Sequence, residues 1–561
     1  MSLTSSVSPP PARTAAPSDA RRRRLGLVVI SLGVSLIVVD ATIVGVLLPR
    51  IVAGLGMTTS EAEWVTSVYS LVFAALLIPF GRAGDLFGRR RLFVLGTAVF
   101  TLASVVAAAA GDGSALIGAR ALQGVGAAMV LPAALSTVNA MFTGRERAAA
   151  FGTYGAMIAG MAGLGPLIGG AIASAADWRW AFGVNLPLGL ALIAGALALM
   201  PETRPERSGT GGAGRALREI DWTGGVLAAL GFGALVCGLI EGQTYGWWTA
   251  TRPFHTGPVG WPEGGLSPVP VVLGLGAVLL AALAVVERAR AAAGRPVMLD
   301  LALFRIPSFR HGNLAAALVN VGELGLVFVL PLFLLGVHGT APLQISVAIL
   351  PMAAGAFLTG AVAHRLARTR GPVRVVRIGM VLEVAAVLAL ALTVSATTTG
   401  FGLAPWMFVY GVGLGLTSAQ LTGVALADVP RELSGQASGT QSTARQIGAA
   451  LGIALIGTVF ATGLGRTMAG RLEGTELPPE QRAAIAHELR ESAGTYAREL
   501  HADADRAALA RAADESLAAA TRNAALATGA ILALGLAVSL RLRPGPAPRP
   551  ESGRRRGQSE S

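Results

Sequence analysis

The chain has 561 residues, of which 53 % are hydrophobic and 14 % charged, with a formal net charge of +13. A mean hydropathy of +0.61 excludes an ordinary soluble multidomain protein. Every basic residue other than His is arginine, and the arginines cluster between apolar runs. That is the charge bias of membrane topology, not the continuous basic face that a nucleic-acid partner needs.

Residues 1–24, rich in Pro, Ser and Ala, are expected to form a disordered cytoplasmic tail. The four arginines at 21–24 hold the start of the first helix on that side. Fourteen apolar spans follow, near 26–48, 63–82, 92–111, 115–138, 150–174, 180–200, 221–243, 268–288, 312–337, 342–363, 374–394, 402–427, 440–462 and 521–541. An even number puts both termini on one side of the cell membrane. The arginines at 89–91, 145, 147, 204–218, 288–310, 365–377 and 541–556 fall on that same side, the cytoplasm. The chain therefore reads as an all-α polytopic membrane protein embedded in the lipid bilayer.

Residues 25–200 are expected to form one six-helix bundle and residues 312–541 a second, with 201–311 a linker carrying two extra membrane helices. Residues 542–561 make a cytoplasmic tail. Segment 463–520 is polar, Ala-rich and mixed in charge, and is expected outside the membrane as one or two short helices, with a solvated spacer favoured over a cap on the exit or a partner-binding segment.

Asp40 stands near the middle of the first span. A carboxylate at bilayer depth costs roughly 2.5–3.5 kcal/mol even on lenient insertion scales, so it marks a functional site. Arg120 lies inside the fourth span and needs a partner carboxylate or a cavity, and Asp40 is the strong acid placed to serve it. The pair fits either proton handling or plain salt-bridge stabilisation. Asp40 is followed by Leu48-Pro49. In the ninth span Glu323 is followed by Leu330-Pro331, and 323 − 40 = 283. The same offset carries the loop at 81–88 onto 364–371, which marks an internal repeat of six helices with a site between the copies. Glu383, in the eleventh span, fits either a proton-carrying role or a protonated, hydrogen-bonded acid at a helix interface.

GRAGDLFGRRR at 81–91, LIGARALQGVGAA at 116–128 and GPLIGG at 165–170 resemble motifs of the major facilitator superfamily. DATIVGVLLP at 40–49, WRWAFGVNLPLG at 178–189, YGVGLGLTSAQL at 410–421 and QSTARQIGAALGIALIGTV at 441–459 are similar to its fourteen-helix drug:proton antiporter subgroup. The resemblance implies the major facilitator fold, two six-helix bundles plus two extra helices. Asp40 and Glu323 are expected to bind protons facing the central cavity, with Arg120 tuning Asp40 and Glu383 as a further proton-coupling candidate. The resemblance also implies a gating loop at Gly81, Gly84, Asp85, Gly88, Arg89 and Arg90, where Leu86 replaces the family's usual arginine. Arg368 stands where the second copy would carry the gating acid. Gly165, Pro166, Gly169 and Gly170 would be the antiporter hinge, although small-residue packing in a static bundle looks the same. Gly45 replaces an Asn common in the family, removing a polar group near Asp40.

The chain is accordingly expected to be a non-enzymatic, proton-coupled antiporter that exports small amphipathic or cationic organic compounds as a monomer. Export of a lipid or of a self-made secondary metabolite, or a transporter-like sensor or scaffold, are the alternatives. The single cysteine, Cys237, excludes an internal disulfide, and the six scattered histidines and the lack of a phosphate loop leave no metal or cofactor site in view.

Overall fold

Short polar residues start the long apolar helices where the chain places its punctuation. Thr58 and Glu61 form a reciprocal capping box on the second helix, and Asp112 accepts from the Ala115 amide at 2.8 Å to open the fourth. Ser267 followed by Pro268, and Thr399, do the same for later helices. The computed structural model describes residues 17–142, 144–203, 221–256, 259–338, 342–473 and 475–542.

In chain order the long helices are α1 (Pro17–Leu55), α2 (Thr59–Phe87), α3 (Arg89–Ala108), α4 (Gly113–Met141), α5 (Gly144–Ala175) and α6 (Asn185–Leu199), the last preceded by one turn at Trp180–Gly183. Then come α7 (Trp222–Tyr245) and α8 (Pro268–Ala292), joined through a small antiparallel hairpin that pairs Phe254 with Trp261. The chain continues with α9 (Pro307–His338), α10 (Pro342–Arg370), α11 (Pro372–Thr393), α12 (Gly400–Ala425), α13 (Ser434–Leu472) and α14 (Ala507–Ser539). A helix lies on each of the fourteen expected spans, and among the described residues 12 helices are long and apolar enough to cross a membrane. The two outside that set are α5 and α10, of 32 and 29 residues.

The repeat is visible in the backbone. Helix α2 runs 59–87 and α10 runs 342–370, so 342 − 59 = 370 − 87 = 283. Gly88 and Gly371, again 371 − 88 = 283, both have positive φ, +106° and +84°, and each turns the chain into the next helix. A side chain is strained in that conformation, which is why glycine stands at both positions.

One apolar core fills the space among α1–α6 around Phe93, Phe100 and Phe151. A second fills α9–α14 around Phe333, Tyr410 and Phe460. The α7–α8 hairpin covers the seam between them, with Val236 and Leu239 packed on Ala74 of α2 and Ala450 of α13.

Two expectations change. The tail expected to be disordered through residue 24 is helical from Pro17, because the arginines are good helix formers that extend α1 into the interface. The segment at 463–520 is a folded cap and not a solvated spacer. Helices α13 and α14 project beyond their spans, and Pro479–Glu491 and Ala497–Ala502 pack on them. Leu464, Met468, Leu489, Leu500 and Leu517 are all fully buried there. The linker arginines at 204–218 and the tail arginines beyond Leu542 lie outside the described residues.

Candidate functional site

Asp40 sits in a closed polar network inside the first group of helices. Its Oδ2 accepts from Arg120 Nη1 at 2.6 Å, and its Oδ1 accepts from Gln123 Nε2 at 3.1 Å and Asn185 Nδ2 at 2.8 Å. Gln123 and Asn185 both also donate to Ser104 Oγ, at 2.8 and 3.1 Å. Arg120 Nε donates to the Val65 carbonyl at 3.2 Å, and its guanidinium lies 4.3 Å from the centre of the Tyr69 ring. Each of these side chains is buried. Helices α1, α2, α3, α4 and α6 thus meet on one carboxylate, and both of its oxygens are occupied by donors. A buried ion pair is stable only when its remaining hydrogen bonds are also made, and here they are.

Asp40's hydrogen-bond partners belong to α4 and α6, so its carboxylate points into its own bundle and not at the second one. The pairing of Asp40 with Arg120 follows from charge and depth alone. The contributions of Asn185 and Ser104 do not, because one polar residue in an apolar span has no direction until the helices are packed. Gly45 faces open space and touches nothing. The amide beside Asp40 comes from Asn185, within the 178–189 motif.

The second group is built differently. Glu383 on α11 is fully buried, and the Thr417 hydroxyl on α12 is its one hydrogen-bond donor among the described residues. The hydroxyl of Tyr410 on α12 is equally buried and unpartnered. Glu323 on α9 is half-buried and lies within electrostatic reach of Glu383, Tyr410 and Arg445. Arg445 on α13 also acts on Tyr154 of α5, so this cation stands between the two groups of helices. Asp40 and Glu323 are repeat partners by position only, one locked to its arginine and the other open to several groups. Arg445 is a functional candidate that sequence reasoning passed over, although its signal, an arginine inside a span, is the one that singled out Arg120.

At the end of the bundle that carries both ends of the described chain, the two groups are joined. Asp85 on α2 is buried and accepts from Arg89 Nη2 at 2.9 Å. It also accepts from the first amides of α13, Gly435 N at 3.0 Å and Gln436 N at 3.1 Å. The carboxylate therefore caps the N-terminus of a helix in the other group, where the helix dipole favours negative charge. Gly81 and Gly435 pack backbone to backbone with no room for a Cβ on either. Asn139 donates to Ser434 Oγ at 2.8 Å across the same seam, and on the pseudo-symmetric side Arg147 donates to the Ala427 carbonyl at 3.3 Å and Gln420 to the Ala148 carbonyl at 3.2 Å. Gly84 faces Leu92, Gly88 turns toward Glu202, and the Arg90 amide donates to Glu202 at 3.2 Å. Deeper along α13, polar atoms of Ser438, Gln441, Ser442 and Thr443 are buried without partners.

In α5, a Cβ at Gly165 would overlap Thr42, and Gly169 packs against Ile43 and Val46, so α1 and α5 approach closely there. Gly170 is buried on the same helix, which continues through Pro166.

The family model described as "Major Facilitator Superfamily" matches residues 30–453. The chain belongs to the major facilitator superfamily. It is 36 % identical over 445 residues to the puromycin resistance protein pur8 of Streptomyces alboniger, covering 78 % of this chain and 82 % of that one. It is 32 % identical over 466 residues to a probable actinorhodin transporter of Streptomyces coelicolor, covering 81 % and 75 %. The multidrug efflux pump LfrA of Mycolicibacterium smegmatis matches at 30 % over 477 residues, covering 84 % and 88 %. The human organic anion transporter MFSD10 shares the major facilitator fold, with a TM-score of 0.54 at 15 % identity over 94 % of this chain and all of that one. The curated relatives are resistance and export proteins, as the drug-antiporter motifs imply, and this member of the superfamily is a multi-pass membrane protein acting on small molecules.

Proposed function

We propose that this transporter is a proton-coupled antiporter, exporting small amphipathic or cationic organic compounds across the cytoplasmic membrane by alternating access. Both termini lie in the cytoplasm and the monomer is the working unit. The observation that carries the reading is the contrast between its membrane-embedded acids. Asp40 has three donors, while the one donor near Glu383 among the described residues is the Thr417 hydroxyl, and Glu383 sits within reach of Glu323, which in turn faces Arg445. A single hydroxyl does little to hold a carboxyl's charge in a dry site. Glu323 and Glu383 carry the proton, and Arg445, placed between the bundles, answers to their charge. Arg120 pairs with Asp40 and fixes the first bundle around it.

The seam supports alternation. Asp85 caps α13 across the halves, which favours closure at that end. The polar atoms of Ser438, Gln441, Ser442 and Thr443 stay dry there and become hydrated when it opens. Two opposing terms of this kind make a seam with two states. The names of the relatives, with actinorhodin, puromycin and tetracenomycin C among the compounds they mention, support a reading in which the substrates are antibiotic-like organic molecules moved outward.

The test is a substrate panel in proteoliposomes with an imposed pH gradient, run on the wild type, E323Q and E383Q. Uptake driven by the gradient in the wild type and abolished in both variants is the expected result. Undiminished gradient-driven transport in both variants overturns the assignment.

A further inference from the structure

The repeat inverts one charge, and a cavity lies beside the inverted residue. Asp85 delivers its carboxylate to the opposite bundle. The residue 283 positions on, 85 + 283 = 368, is Arg368 at the end of α10, exposed on the same end of the molecule. Arg368 lines a cavity of about 470 Å³ together with Arg23 and Arg24 of α1. The floor is apolar, built from Leu27, Phe142 and Ala150, each nearly fully buried. Arg23 lies over the Phe142 ring, 6.0 Å from its centre, and pairs with Glu146 at 3.4 Å. Arg24 and Arg368 have no ion pair among the described residues. With three arginines and one carboxylate, the cavity carries a net charge of +2 (3 − 1).

We propose that this cavity binds the headgroup phosphate of an anionic membrane lipid, with an acyl chain laid over the apolar floor. Four arginines directly ahead of an apolar helix form the pattern that attracts anionic headgroups at an interface. Guanidinium groups suit phosphate because their planar fork donates two parallel hydrogen bonds. A free inorganic anion would satisfy the arginines and leave Leu27, Phe142 and Ala150 uncovered, whereas a lipid covers both. The site also explains the charge inversion. One seam carries its own anion as Asp85, and the pseudo-symmetric seam takes one from the bilayer. Because Arg23 and Arg24 belong to the first bundle and Arg368 to the second, a bound phosphate ties the bundles together at the closed end.

The experiment is thermal unfolding of the purified, delipidated protein in detergent, titrated with phosphatidylglycerol, phosphatidylcholine or inorganic phosphate. Phosphatidylglycerol is expected to raise the midpoint saturably, and the other two are expected to leave it near the lipid-free value. In R24Q/R368Q the apparent affinity for phosphatidylglycerol should fall roughly 30-fold, from about fivefold per arginine. Both side chains are exposed, so the variant keeps its core. E146Q, which removes the competing carboxylate, should bind at least as tightly as the wild type. R252Q, at the opposite end, should bind as the wild type does. Equal stabilisation by phosphatidylcholine or by inorganic phosphate overturns the proposal. So does an unchanged affinity in R24Q/R368Q, or a weaker one in E146Q.

Discussion

Arg120 donates to Asp40 across 2.6 Å between α4 and α1, and both side chains are about 1 % exposed. Removing one member leaves the other buried and uncompensated, a loss of roughly 3–5 kcal/mol, whereas removing both leaves no charge to strand. R120Q is therefore expected to lower the unfolding midpoint sharply in detergent, and D40N/R120Q to recover most of it. Transport should be absent from both. A double variant no more stable than R120Q would mean that the pair contributes through packing and not through charge.

Asp85 accepts hydrogen bonds from the Gly435 and Gln436 amides, and charge-assisted bonds of this kind contribute roughly 1.5–3 kcal/mol each. D85N loses the charge and one acceptor. Ser438, fully buried in the seam, reports on the outcome. In a C237S background, a cysteine placed by S438C should react with maleimide at least tenfold faster when D85N is added. Equal labelling rates would show that Asp85 does not hold the seam shut.

Glu383 differs from Asp40 in having a single hydroxyl donor, Thr417, in place of three nitrogen donors. E383Q conserves its shape and is expected to keep the wild-type unfolding midpoint while gradient-driven transport disappears. A fall in the midpoint together with activity would assign Glu383 to packing alone.

The cap formed by 463–520 has its own core, and Leu489 is completely buried in it. L489A should cost about 2–5 kcal/mol locally. It should expose residues 473–506 to protease added outside right-side-out vesicles. Transport is expected to continue, because the cap touches neither Asp40 nor Glu383.

Much of the fold was legible because hydropathy, arginine placement and the 283-residue repeat are one-dimensional signals. The long helices fall on the expected spans, and the offset recovered from Asp40 and Glu323 reappears in the ends of α2 and α10 and in Gly88 and Gly371. The short helices of the cap were legible, but its packed core was not. Its Ala-rich, mixed-charge composition reads as solvated until Leu464, Leu489, Leu500 and Leu517 are brought together by two helices that continue past the membrane. Asn185 and Ser104 were missed for a related reason. A lone amide or hydroxyl in an apolar span has no partner in sequence, and three helices must converge before it faces Asp40. Arg445 was within reach of the reading, since an intramembrane arginine is itself a signal.

What the sequence determined by itself is the membrane class, the repeat and the identity of the costly residues, because inserting Asp40 or Arg120 into lipid has a penalty wherever they point. Only the tertiary structure decided which of those penalties are offset within the protein. It packs Asp40 against Arg120, Gln123 and Asn185 and gives Glu383 only the Thr417 hydroxyl. It also sends Asp85 across the seam while its repeat counterpart Arg368 faces an open cavity. Charge and spacing set the need for partners, and helix packing set which groups found them.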